Sequence, residues 1–175
     1  SVIALLDENV RLVAVCLTSN SIGTTVDIPP ISVAAHAVGA LIYVDAVHAV
    51  PHHLIDVDQL DCDFLAASVY KFFGPHTGVL YGKAEHLSRL DAYKVQPAPS
   101  DPPGKWETGT QSFESLAGVV AAVDYMASLD SPTATRRKAL ASAYGWIALH
   151  EQELATRFLD GLNRLDGVQL HGVQE

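Results

Sequence analysis

A chain of 175 residues with 49% hydrophobic content holds enough apolar material for one substantial core and gives weak support for two complete domains. Its formal net charge of -9 excludes the clustered lysine and arginine that a nucleic-acid or anionic-membrane surface requires. The short basic run Arg136-Arg137-Lys138 reads instead as a solvated helix face. With no apolar run of about 18 residues and no basic stretch before a hydrophobic one at the start, neither a membrane span nor a signal peptide is visible, and a cytoplasmic protein is expected. His48, His52 and His53 crowd together, but no His-Glu-x-x-His or Cys-x-x-Cys pattern accompanies them, so no metal site is assigned. Cys16 and Cys62 lack metal or redox spacing and are expected to be ordinary buried thiols.

Residues 10–17 are β-branched and apolar and run into the polar turn Thr18-Ser19-Asn20-Ser21, which predicts a buried strand with Asn20 at its carboxyl edge. Residues 31–38 have helical spacing and stop at Gly39, a helix terminator, before a second strand over residues 40–45. Residues 64–68 and 78–82 predict two further short strands, with Gly74 and Gly78 freeing the loop between them. The proline-rich segment 96–104 cannot be a regular helix or central strand and marks a connector. Beyond it, residues 115–129 predict a helix, residues 134–165 a long helix with a break near Gly145, and residues 167–171 the start of a strand. Strands alternating with short crossovers define a largely parallel α/β sheet, whose ligands sit at the carboxyl ends of the strands, where Asn20, Asp45 and Ser68 would fall.

Gly-x-Gly-x-x-Gly, P-loop and Gly-x-Ser-x-Gly patterns are missing, which removes the common nucleotide-binding and serine-hydrolase readings. What remains is a lysine, Lys71, in Ser68-Val69-Tyr70-Lys71-Phe72-Phe73-Gly74-Pro75, preceded by a strand ending in Val44-Asp45-Ala46-Val47-His48. A half-buried lysine amine can condense with a cofactor aldehyde, and an aspartate facing a cofactor ring nitrogen keeps that ring protonated and able to accept electrons. Either residue alone is more simply a surface lysine or a turn-forming aspartate; together they point to pyridoxal phosphate chemistry.

The stretch 20–125 resembles the class V aminotransferases, a family of fold-type I pyridoxal phosphate enzymes, and within it the cysteine desulfurase-like branch. The motifs that carry the resemblance occur in order: Ser19-Asn20-Ser21-Ile22-Gly23-Thr24, Val44-Asp45-Ala46-Val47-His48-Ala49-Val50-Pro51-His52, Asp61-Cys62-Asp63-Phe64, Ser68-Val69-Tyr70-Lys71-Phe72-Phe73-Gly74-Pro75 and Trp106-Glu107-Thr108-Gly109-Thr110. The resemblance implies that Lys71 holds pyridoxal 5'-phosphate covalently, Asp45 pairs with the ring nitrogen, and His48 donates to the phenolic oxygen that Asn20 also approaches. It assigns the cofactor phosphate to Ser68, with Tyr70 standing where relatives carry histidine, and gives Thr110 to the phosphate of a neighbouring subunit, hence a homodimer.

The fold it implies is the large, mainly parallel-sheet domain with flanking helices, partial, over residues 1–133, followed by a connecting helix and the start of a small α+β domain over residues 134–175. Family members are considerably longer, so the chain resembles a central piece. The expected activity is on an amino-acid substrate: desulfurase-like C–S bond cleavage with a possible sulfur acceptor protein, or transamination or racemisation, or a scaffold without catalysis. The carboxylate-binding arginine and the sulfur-carrying cysteine are expected outside residues 1–175, because Cys16 and Cys62 match neither motif.

Overall fold

The computed structural model describes residues 2–107, 109–130 and 135–171. Its centre is a four-stranded sheet, β1 (Leu12–Cys16), β2 (Leu41–Asp45), β3 (Phe64–Ser68) and β4 (Gly78–Gly82), with the strands adjacent in chain order. The first three run parallel, as the crossover lengths require; β4 returns antiparallel to β3, pairing Ser68 with Gly78 and Phe64 with Gly82. The reversal follows from the short link between β3 and β4, which is a turn rather than a helical crossover.

Alternation along the strands gives the sheet two unlike faces. Val13, Ile42, Val44 and Leu65 point to one face and are buried with Ile28, Ile31 and Ala35 from the first crossover. That crossover is helix α1 (Pro29–Ala37), started by the two prolines at its first positions and closed by Gly39 at φ +77°. On the opposite face, register sets Cys16 beside Asp45 and Asp45 beside Ala66. Cys16, Asp45, Leu12 and Leu80 are exposed there. The expectation of a buried first strand and a buried Cys16 is therefore corrected: β1 is covered on one side only. Cys62 is buried, and that burial pushes its thiol pKa up.

At the amino edge of the parallel strands, the short helix α2 (Val57–Leu60), N-capped by Asp56, leads to Asp63, which is 2% exposed. Its carboxylate accepts hydrogen bonds from Ile42 N–H (2.8 Å), His36 Nε2 (2.9 Å) and His86 Nε2 (3.1 Å), and Lys83 Nζ lies 3.1 Å away. Lys83 also pairs with Asp61 at 2.9 Å. His86 comes from helix α3 (Ala84–Arg89), so Asp63 ties α1, β2 and α3 together. Burial works to raise its pKa, but the donors outweigh it and hold the carboxyl at about 2.

Residues 90–103 form no regular element, in keeping with their prolines, before a 3-10 turn at Gly104–Trp106. Helix α4 (Phe113–Ala127) follows, and α5 (Arg136–Leu162) is one uninterrupted helix through Gly145. The expected break there does not occur. One glycine in a helix interior costs about 1 kcal/mol, and docking of the neighbouring turns offsets it: Ala139 and Ala143 are buried, and the Tyr144 hydroxyl donates to the Val50 carbonyl at 2.6 Å. Arg137 reaches the Ile55 carbonyl and pairs with Asp56 at 3.0 Å, while Arg136 pairs with Asp124, so the basic run is exposed but used in docking. Residues 168–171 form no strand, because no described segment lies alongside to pair with them. The expected domain boundary between residues 133 and 134 lies outside the described residues.

Candidate active site

Asp45 ends β2 and Ser68 ends β3, so both stand at the carboxyl edge of the parallel strands. Register and alternation put them on the same open face. Asp45 Oδ1 accepts the Val47 N–H at 2.9 Å, which bends the chain out of the strand and leaves Oδ2 without a protein partner among the described residues. Ser68 is half-buried, and its hydroxyl makes no cap hydrogen bond to the turn that follows. Cys16, ending β1 next to Asp45, adds an exposed thiol whose Sγ lies 3.0 Å from the Thr18 carbonyl. Nothing in its sequence neighbourhood marks it out, since only the register of β1 against β2 brings it to Asp45.

Lys71 lies in the 3-10 turn Val69–Phe72 directly after β3. The turn is rigid for identifiable reasons. Val69 and Phe72 are buried against Ala122, Val119 and Val123, Val69 N–H donates to Thr77 O, and Gly74 N–H returns to Val69 O. Phe73 closes it in the left-handed region at φ +68°, a costly conformation for an aromatic residue, with its ring edge-on to Tyr125 at 5.6 Å. Gly74 must be glycine, because a Cβ there would run into Val69 Cγ1 and press on Ala122 Cβ at 3.2 Å. Packing thus fixes the backbone that carries Lys71 and leaves the side chain half-buried, as its sequence neighbours predict.

Lys71 Nζ lies 5.4 Å from the centre of the Tyr70 ring and has no carboxylate partner among the described residues. Tyr70 is itself exposed and stacks on His76 at 5.2 Å. Beside Lys71 opens a cavity of about 340 Å³ lined by His48, Pro51, His52, Phe73, His150 and Glu151, among others. Of the residues singled out in the sequence, this cavity brings together Lys71 and His48; Asp45 does not line it, although it leaves the adjacent strand at the same edge. The cavity is set by the tight turns after β2, in which Ala49 and Val50 N–H both donate to Ala46 O and His52 and His53 N–H both donate to Ala49 O. His48 Nδ1 is buried there without a hydrogen-bond partner. A larger hollow along α5, from Leu149 to Arg164, contains none of these residues.

Asn20 sits four residues beyond β1, at the exposed tip of a turn closed by Ser19 N–H to Thr24 O and Gly23 N–H to Ser19 O. Thr110 is exposed in the loop before α4, next to Gly109 at φ +71°, and lines no part of the Lys71 cavity. Thr108 of the same motif lies outside the described residues. His52 and Glu151 were not singled out as site residues from the sequence: Glu151 comes to His52 only because α5 docks over the turn after β2.

A mixed sheet with one open face, a strand-end aspartate and a lysine on the next turn defines an α/β scaffold with a ligand edge at its parallel carboxyl ends. The aminotransferase class-V family model matches residues 1–175, and the chain belongs to that family. It is 38% identical over 161 residues to a cysteine desulfurase of Dickeya dadantii, covering 85% of this chain and 39% of that protein. It is 32% identical over 182 residues to a probable cysteine desulfurase of Halalkalibacterium halodurans, covering 97% and 42%. Among solved structures it is similar to the cysteine desulfurase CsdA (S-sulfonic acid) of Escherichia coli, with a TM-score of 0.75 at 30% identity over 94% of this chain and 41% of that one. An apo cysteine desulfurase of Thermococcus onnurineus gives a TM-score of 0.74 at 27% identity, covering 93% and 40%. The chain therefore spans about two fifths of the length of these relatives. The fold expected from sequence, a partial large domain of a pyridoxal phosphate-dependent transferase, agrees with these neighbours.

Proposed function

We propose that the protein is a pyridoxal 5'-phosphate-dependent enzyme acting on an amino acid, with cysteine desulfurase-like cleavage of a C–S bond as its reaction. The observation that carries this reading is the pairing of Lys71 with His48 on one cavity, where the buried His48 Nδ1 lacks a protein partner. Relatives named as a cysteine desulfurase and a probable cysteine desulfurase support this choice of reaction within the family.

The residues present fit the cofactor. Among the described residues Lys71 has an amine free of carboxylates on a turn that packing holds still, and Asp45 keeps Oδ2 unpartnered at the neighbouring strand end. The cofactor, when bound, supplies an aldehyde that amines capture and a protonated ring that accepts electrons from the substrate α-carbon. Lys71 is the covalent anchor and the base that moves the α-proton, Asp45 the anion that keeps a ring nitrogen protonated, and His48 a donor to a phenolic oxygen. Since its buried Nδ1 meets no donor or acceptor, the tautomer with hydrogen on Nε2 leaves the less costly buried lone pair and presents the donor to the cavity. Ser68 and Tyr70 offer hydroxyls to a phosphate, and Asn20 supplies a further polar group at the same edge. Thr110, exposed and away from its own chain's Lys71, suits a contact to a second subunit's phosphate in a homodimer.

In this proposal residues 1–133 belong to the cofactor-binding domain and residues 134–175 lead into a smaller one. The enzyme works in the cytoplasm and hands sulfur to an acceptor protein. Among the described residues no helix is long and apolar enough to cross a membrane. The test is reduction of the full protein with borohydride in the presence of pyridoxal phosphate, followed by peptide mass analysis. Labelling of Lys71, with alanine formed from cysteine and its sulfur released as sulfide once a thiol reductant is added, supports the reading; labelling of another lysine ends it.

A further inference from the structure

The turn after β2 carries two imidazoles into the Lys71 cavity, and among the described residues only one has a hydrogen-bond partner. His52 Nδ1 lies 2.7 Å from Glu151 Oε1, a contact spanning 99 residues of sequence. A carboxylate only accepts, so the hydrogen of this bond sits on His52 Nδ1, which fixes the plane and tautomer of the ring. His52 in turn lies against His48, with ring centres 5.5 Å apart and planes at 58°. All three side chains line the cavity that Lys71 enters.

Among the described residues the His48 ring makes no hydrogen bond of its own, and its Nδ1 is buried and unpartnered. The ring beside it is that of His52, and a carboxylate delivered by α5 holds that ring. Carboxylate–imidazole pairs commonly orient a group at one remove from the chemistry in this way.

We propose that Glu151 is a positioning residue of the Lys71 site: through its hydrogen bond to His52 it fixes the His48 ring, and so makes the binding edge dependent on the docking of α5. The inference rests on the reading of Lys71 and His48 as cofactor-binding residues. The coupling is specific to this contact. Two other attachments of α5, Tyr144 to the Val50 carbonyl and Arg137 to Asp56, reach the same stretch of chain but touch neither imidazole.

The experiment compares Glu151→Ala, Glu151→Gln and Tyr144→Phe in the full protein. Imidazole ¹⁵N resonances are recorded on the cofactor-free protein, and the dissociation constant for added pyridoxal 5'-phosphate is measured by fluorescence. Because the pair is half exposed, Glu151→Ala is expected to weaken cofactor binding by about threefold to fivefold and to shift the His48 ring signals. Glu151→Gln, which keeps an acceptor oxygen for His52, should stay within about twofold of the parent. Unmoved His48 signals in Glu151→Ala overturn the proposal, and so does an equal loss of binding in Tyr144→Phe, which would reduce Glu151 to one more attachment of the helix. If the parent protein does not bind the cofactor at all, the functional reading fails, while the imidazole signals still decide whether Glu151 holds His48.

Discussion

Replacing Asp63 by asparagine should remove the keystone of the amino edge of the sheet. The carboxylate receives four donors, two on each oxygen: Ile42 N–H and His36 on Oδ2, Lys83 and His86 on Oδ1. An amide keeps one accepting oxygen and turns an NH2 toward the other pair, so two donors lose their acceptor in a site where the native side chain is 3% exposed. Breaking one member of a buried charged network costs about 3–5 kcal/mol.

Part of that cost is titratable. The folded carboxyl stands at about 2 against an ordinary 3.8, a difference of about 2 kcal/mol. Because the folded value is the lower one, this contribution is present above pH 3.8 and disappears as pH falls through about 2. Urea unfolding followed by far-ultraviolet circular dichroism, at a series of pH values, should show the parent more stable than Asp63→Asn by about 3–5 kcal/mol at neutral pH. The gap should narrow by about 2 kcal/mol between pH 5 and 2. A gap under about 1 kcal/mol at neutral pH, or one that stays constant on acidification, would refute the argument that Asp63 is held ionised by its donors.

Three further outcomes are expected. Lys71→Ala should abolish the visible absorbance of bound pyridoxal phosphate while leaving the thermal midpoint of the cofactor-free protein within about 2 °C, since the turn is held by Val69 and Phe72 rather than by the lysine. Gly74→Ala should cost about 1–3 kcal/mol, read as a lowered urea midpoint, because its Cβ collides with Val69 inside the same turn. Cys62, buried and with its thiol pKa raised, should resist alkylation at pH 8 until denaturant is added; rapid labelling in the native protein would contradict its placement in the core.

Local pattern sufficed where the physics is local. Apolar alternation bounded by Gly39, Gly78 and the prolines from Pro97 to Pro103 located four strands and the irregular connector, because φ/ψ restrictions and side-chain periodicity act within a few residues. The polar residues that terminate strands, Asp45 and Ser68, were visible for the same reason, and Lys71 stood out because apolar neighbours flank it on both sides. Gly145 misled, since intrinsic propensity alone breaks a helix that Ala139, Ala143 and Tyr144 hold in place by docking.

Sequence by itself therefore determined the four strands, α1 and the helices after the connector, and which residues stand at the carboxyl ends of the strands. Tertiary structure alone decided that one face of the sheet lies open with Cys16 beside Asp45, that Asp63 gathers His36, Lys83 and His86, and that Glu151 reaches His52. Those facts depend on register and docking between segments tens of residues apart. Such contacts are selected by the burial of whole faces, which no local spacing encodes.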